Sequence, residues 1–209
     1  MASGYRGFGN LILTLLLVGG AAFYFQSRNS GPALHRGSAV HLVSGAEPGN
    51  RTAEQHFSPF ENLEQLDMDR LDAAQHTIDI AMYSFTDRYL AEELVKLARQ
   101  GAQIRIYRDR QQFDEEQHNS ETRNRQSTTE LFRGEPNIQL RVKTSHDLMH
   151  LKAYVVDAKL LRDGSANWSP TGLKRQDNNA HFTADPAQVH AFEQDFEQMW
   201  NREDNERVQ

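Results

Sequence analysis

The chain has 209 residues, of which 38% are hydrophobic and 25% charged, with a formal net charge of -6 and no cysteine. That length and balance fit one globular domain with a sizeable core and exclude a disordered chain. The absence of cysteine excludes disulfides and thiolate metal sites, and the acidic balance leaves no overall basic field for nucleic acid, so duplex binding would have to rest on a local strip.

In chain order, residues 8–25 carry the membrane signal. Leu11 to Val18 is almost wholly aliphatic and Gly19 to Phe25 stays apolar, close to the ~18 residues of a spanning candidate. A leucine core followed by Gly19-Gly20-Ala21-Ala22 also fits a cleavable signal peptide. The cluster Phe23-Tyr24-Phe25 beside Gln26 and Arg28 reads as an interfacial anchor. Residues 1–28 are therefore read as a single-pass transmembrane anchor that leaves the remainder exported, periplasmic or extracellular, with secretion after signal cleavage as the alternative. Residues 29–55, rich in Ser, Gly, Asn and Pro, read as a flexible tether with a short strand at Ala39 to Val43.

The domain proper is assigned to residues 56–204. Leu63, Leu66, Met68, Leu71 and Ala74 recur at helical spacing over Glu61 to Ala74. Thr77 to Ser84 alternates as a strand, with Ile78, Ile80 and Met82 on one side and Ala81 and Tyr83 on the other. Asp87 is placed to cap a helix over Arg88 to Gln100, whose stripe is Leu90, Leu94, Leu97 and Ala98, and Gly101 ends it. A strand at Gln103 to Tyr107 completes a right-handed parallel crossover. Residues 109–127 are polar and read as a loop or exposed helix, with a short helix near Ser127 to Arg133 and a strand at Ile138 to Val142. An amphipathic helix over residues 187–201 closes the domain through Val189, Phe192, Phe196, Met199 and Trp200.

Between these lies Met149 to Asp157, an apolar, β-branched run interrupted by His150 and Lys152. Strand alternation puts His150, Lys152, Tyr154 and Val156 on one face, His150 and Lys152 about 7 Å apart. An imidazole is a nucleophile or general acid near neutral pH, and an ammonium neutralises phosphoryl oxygens. Asp157 falls at a turn into a second strand, Lys159 to Arg162, ending at Asp163-Gly164. Ser165 and Asn167 then share parity as compact donors for an oxyanion.

His150-x-Lys152-x4-Asp157 followed by Gly164-Ser165-x-Asn167 resembles the HxK(x4)D signature of the phospholipase D superfamily, and the likeness runs from about Phe57 to about Trp200. Among its members the chain resembles the short, single-motif ones, bacterial endonuclease-like and mitochondrial cardiolipin-hydrolase-like. The resemblance implies an α/β fold with a mixed β-sheet flanked by helices on both faces. It implies metal-independent phosphodiester cleavage through a phosphohistidine, with no cofactor. His150, Lys152 and Asp157 would be catalytic, Asp157 by orienting and charging an imidazole, and Ser165 and Asn167 would bind phosphate. Single-motif relatives often carry Glu thirteen residues beyond the serine; here Asn178 stands there, next to Asp177, so Asp177 substitutes or that carboxylate is missing.

In-line displacement wants a nucleophile and an acid on opposite sides of phosphorus, and His-x-Lys occurs once. This predicts a homodimer in which two copies build a composite site. Phospholipid diesters are favoured as substrates because residues 8–25 would hold the site near lipid; nucleic acid is the alternative, and a non-catalytic membrane-tethered scaffold is the rival from another class. Arg105, Arg108 and Arg110 read as a phosphate-attracting strip or as ordinary surface charge, His146 and Asp147 as lining the mouth or as surface, Trp168 as core or site wall, and Asp114-Glu115-Glu116 as a solvated run rather than a metal site.

Overall fold

A computed structural model of the chain describes residues 53–208. The expected anchor at 1–28, and the tether and its strand up to residue 52, lie outside the described residues. Among those described, no helix is long and apolar enough to cross a membrane.

The elements are β1 (Ala53–Ser58), α1 (Leu63–Leu71), β2 (Thr77–Met82), α2 (Arg88–Arg99), β3 (Gln103–Arg108), α3 (Arg110–Thr122), α4 (Thr128–Phe132), β4 (Ile138–Val142), β5 (Lys152–Val156), β6 (Leu160–Gly164), α5 (Pro170–Lys174), β7 (Asn178–Thr183), α6 (Pro186–Trp200) and β8 (Glu206–Val208). The eight strands form one sheet in the order β1-β7-β6-β5-β2-β3-β4-β8. β2, β3 and β4 run parallel, and every other pairing is antiparallel. The mixed sheet flanked by helices is therefore present as the resemblance implied.

Alternation sorts the strands onto two cores. Ile78, Ile80, Met82, Ile104, Ile106, Leu140, Val142, Tyr154, Val156 and Phe182 bury against α1, α2 and α4. On the other face Ala81, Tyr107 and Met149 meet Phe196, Met199 and Trp200 of α6, and Val155 and Leu161 meet Val189. α2 begins where the Asp87 carboxylate accepts from the Tyr89 and Leu90 N–H groups at 3.1 and 3.2 Å. α4 begins at Ser127, whose reciprocal bonds with Glu130 form a capping box.

The structure departs from the sequence reading at both edges of the sheet, at β7 and α5, and around His150. The strand β1 starts inside the stretch read as tether, and β8 lies beyond residue 204, paired with β4. β7 and α5 have too few apolar residues to show a period: of β7 only Ala180, Phe182 and Thr183 are buried. His150 precedes β5 rather than lying in it. The face of β5 assigned to chemistry is also covered, because Tyr154 and Val156 pack into the larger core.

Candidate active site

β5 pairs with β2 in the register Met82↔Lys152, and the ladder runs one step further as the Tyr83 N–H donates to the Leu151 carbonyl at 2.8 Å. His150 lies just past that bond, exposed where the chain leaves the sheet. Its imidazole packs on the Tyr83 ring, centroids 4.5 Å apart at 58°. The Lys152 ammonium sits 4.6 Å from the centroid of the same ring and donates to the His150 carbonyl at 2.7 Å. Tyr83 thus touches both members of the His-x-Lys pair.

Lys152 is only 8% exposed and has no ion-pair partner within the described residues. Burial pulls its pKa down to about 8, with the Asp109 carboxylate pulling the other way. Asp109 is itself buried; it caps α3 by accepting from the Gln112 N–H at 3.2 Å and holds the Met149 N–H at 3.0 Å. It fixes the residue before His150 while setting the field at Lys152. Burial, then Asp109 and Glu115, raise the Tyr83 phenol above its ordinary value.

The second wall comes from the end of β6. Gly164 has φ +144°, and a Cβ there would meet the Asn179 carbonyl oxygen at 2.4 Å, so only glycine lets β6 approach β7 this closely. Ser165 Oγ then donates to Asn178 Oδ1 at 2.9 Å and accepts from the Asn179 N–H at 3.0 Å, while its own N–H reaches Asn179 Oδ1 at 3.0 Å. Asn178 Nδ2 is anchored on the Gly172 carbonyl of α5 at 3.0 Å. Asn167 Oδ1 accepts from the Ser84 N–H at 3.3 Å. Ser84 adjoins Tyr83, so this bond brings Asn167 to the His150 side of the sheet.

A buried polar knot supports the two walls. Arg162 donates to the Lys152 carbonyl at 2.7 Å and to the Ala166 carbonyl at 3.2 Å. Its Nε lies 3.3 Å from Asp67, which accepts from Trp168 Nε1 at 2.9 Å and the Tyr154 hydroxyl at 3.1 Å. Trp168 is thus core rather than site wall.

The structure brings His150, Lys152, Ser165, Asn167 and Asn178 to the same end of the sheet and takes Asp157 away from it. Asp157 sits at the far end of β5, roughly 20 Å along an extended chain from His150. Its φ is +52° and its carboxylate accepts from the Gln75, His76 and Thr77 N–H groups, each at 2.8 Å. Those three bonds outweigh burial and hold its pKa below the ordinary value. It therefore anchors the β5–β6 turn, and the imidazole-orienting role drawn from the resemblance does not fit this geometry. Asp177 is exposed and bonds to neither Ser165 nor His150; Asn178 holds the serine.

The arginine strip is corrected too. Arg105 pairs with Asp79 and Glu197, Arg108 is buried against Glu116, and Arg110 pairs with Glu206 and Asp114. Glu116 is consequently a buried partner rather than part of a solvated run. His146 and Asp147 are exposed and bond to none of the motif residues. Among the described residues no cluster of three or more His, Cys, Asp or Glu is placed to hold a metal ion. Tyr83, Asp109 and Arg162 were not singled out for the site from the sequence; the only local signal among them is Asp109, an aspartate directly before a helix.

Beside Ser165 and Asn178 opens a cleft of about 490 Å³, lined also by Phe57, Ser58, Phe60, Asp177 and Asn179.

A mixed sheet with one His-x-Lys pair facing a Gly-Ser-x-Asn turn defines a protein of the phospholipase D type. The chain belongs to the family described as cardiolipin synthase, PLD-like domain, which matches residues 68–200. It is 26% identical over 134 residues to the mitochondrial cardiolipin hydrolase of Chlamydomonas reinhardtii, covering 64% of this chain and 56% of that protein. It is 27% identical over 130 residues to the human mitochondrial cardiolipin hydrolase, covering 62% and 48%. The chain thus spans about half the length of these relatives. In fold it is similar to the phospholipase D family member Nuc from Salmonella typhimurium, with a TM-score of 0.65 at 20% identity over 75% of this chain and 97% of that one. NucT from Helicobacter pylori gives 0.59 at 23% identity over 71% and 94%.

Proposed function

We propose that the chain is a phosphodiesterase that uses His150 as nucleophile, with phospholipid diesters as its substrates. The observation that carries this reading is the buried Lys152 ammonium. Among the described residues it has no ion-pair partner; it lies beside an exposed imidazole and faces the end of the sheet where Ser165 and Asn167 supply polar groups. An anionic diester would provide the missing counter-charge.

A ring nitrogen of His150 attacks phosphorus as the bond to the leaving oxygen breaks, giving a phosphohistidine and an alkoxide that takes a proton from a second imidazole. Water then attacks phosphorus, gives its proton back to that second imidazole, and releases His150. The second imidazole is His150 of a partner subunit, so the reading includes a homodimer with a composite site. No metal takes part in this scheme.

The relatives named as cardiolipin hydrolases support a lipid diester, as does the apolar stretch at 8–25, read as an anchor. Against a nucleic acid stand the net charge of -6 and the carboxylate pairing of Arg105, Arg108 and Arg110. The test is hydrolysis of a bis-aryl phosphodiester by the full chain in EDTA. Activity should survive the chelator and fall at least about 10³-fold in His150→Ala, and mass spectrometry during turnover should find a phosphoryl adduct on His150. Unimpaired turnover by His150→Ala would sink the reading, and no turnover of any diester by the wild type would favour the scaffold.

A further inference from the structure

The cleft beside Ser165 has an apolar rim that the phosphodiester chemistry leaves unused. Phe57 is 53% exposed and Phe60 91%; Phe57 lies at the end of β1 that pairs with the start of β7 in the register Phe57↔Asn179 and Ser58↔Asn178, and Phe60 follows in the loop just beyond. The loop that presents them is pinned. The Glu61 N–H donates to the Phe57 carbonyl at 2.9 Å, the Glu61 carboxylate accepts from the Phe57 N–H at 2.9 Å, and that carboxylate also lies 2.7 Å from His56 Nδ1. The backbone that carries Phe60 is therefore pinned on both sides, and two exposed phenyl groups at the mouth of a site mark a binding surface.

The floor of the cleft is continuous with the phosphate-facing residues, because Ser165 and Asn178 line it and bond to each other. With those polar groups satisfied, the free surface left to a ligand is largely aromatic. The one charged residue lining the cleft is Asp177. Its carboxylate repels a polyanionic backbone and leaves an uncharged chain unaffected.

We infer that Phe57 and Phe60 form a subsite for the apolar tail of an amphiphilic phosphodiester whose phosphate lies at His150 and Lys152. This rests on the functional reading above and extends it to the part of the substrate away from phosphorus. It makes the tail, rather than the head group, the main contributor to affinity on this side.

The experiment is calorimetric binding of hexyl-, octyl- and decylphosphocholine, below their micellar concentrations, to the full His150→Ala chain, which binds without turnover. Affinity should rise with tail length, by up to about fourfold per methylene at full burial. In a Phe57→Ser/Phe60→Ser background the dependence on length should flatten, with at least about a fivefold loss for the decyl compound. Phe60→Ser alone, at a fully projecting side chain, should give part of that loss, and Phe60→Trp should restore it. A length dependence unchanged by these substitutions overturns the subsite. So does a single-stranded oligonucleotide whose binding falls with Phe60→Ser while alkyl binding does not, since the rings would then stack bases. The two readings fail separately. Phe60-dependent tail binding in a chain that hydrolyses no diester removes the enzymatic reading alone, and hydrolysis dependent on His150 without any effect of tail length removes the subsite alone.

Discussion

The ammonium of Lys152 loses most of its hydration and gains a carbonyl, an aromatic face and a carboxylate too distant for an ion pair. Burial lowers its pKa from 10.5 to about 8, so between about 8 and 10.5 the folded chain binds fewer protons than the unfolded one. Stability contributed by this group therefore rises with pH across that window, while the charge available to a phosphate falls. The rate should accordingly decline as pH passes upward through about 8. Lys152→Arg, which stays protonated, should lose that alkaline limb, and Lys152→Met should lower the rate about 10²-fold or more at pH 7; pH–rate profiles on a small diester check both. How the motif was legible follows from the same geometry. His150 and Lys152 are close in space because they are close in sequence, on one extended run. Asp157 belongs to the same short stretch of sequence, but extended chain carries it to the opposite end of β5, where its partners are the backbone of residues 75–77. Tyr83, Asp109 and Arg162 reach the site only through sheet pairing and helix docking, which no local pattern encodes.

Helix α2 shows what an element owes to one residue. Asp87 caps it with Oδ1, but Oδ2 is buried without a hydrogen-bond donor. Burial, and then the neighbouring Glu64 carboxyl, raise the Asp87 pKa to about 6. A raised carboxyl favours the folded state below its unfolded value and loses that contribution as pH climbs through about 6. Asp87→Asn keeps a capping oxygen and removes the buried charge, so it should be as stable as the wild type or more stable at pH 8. Asp87→Ala should cost about 1 kcal/mol; thermal melts at pH 5 and pH 8 separate the two. The capped, strongly periodic elements were legible because one face is apolar and the ends carry caps. β1, β7 and α5 were not: β1 is an edge strand whose half-buried side carries the polar Glu54 and His56 while Ala53, Gln55 and Phe57 are exposed, β7 buries few side chains, and α5 is a five-residue turn held by Ser169 and Pro170.

At the scale of the molecule, the His-x-Lys motif supplies one imidazole where the proposed reaction needs two. If composite sites form, wild type mixed equally with His150→Ala should retain about one quarter of the activity after subunit exchange, whereas independent sites would retain about half. Sedimentation of the full chain, kept in detergent, should report a dimer. Arg162 gives such an assembly a stiff base, since one guanidinium joins β5 to the turn after β6 while its charge is answered by Asp67 beneath. The sheet's overall plan could be anticipated from alternating strands and one crossover. The edge strands could not, because their neighbours rather than their own residues bury them.

Gly164 imposes a limit of its own. With the Asn179 oxygen occupying the space a methyl group would need, saturation mutagenesis of this one codon should return glycine alone among functional clones. Even alanine would have to pry β6 from β7 and drag the adjoining serine with it. Substitutions meant to reshape the site will have more freedom at the aromatic rim than at this contact between two strands.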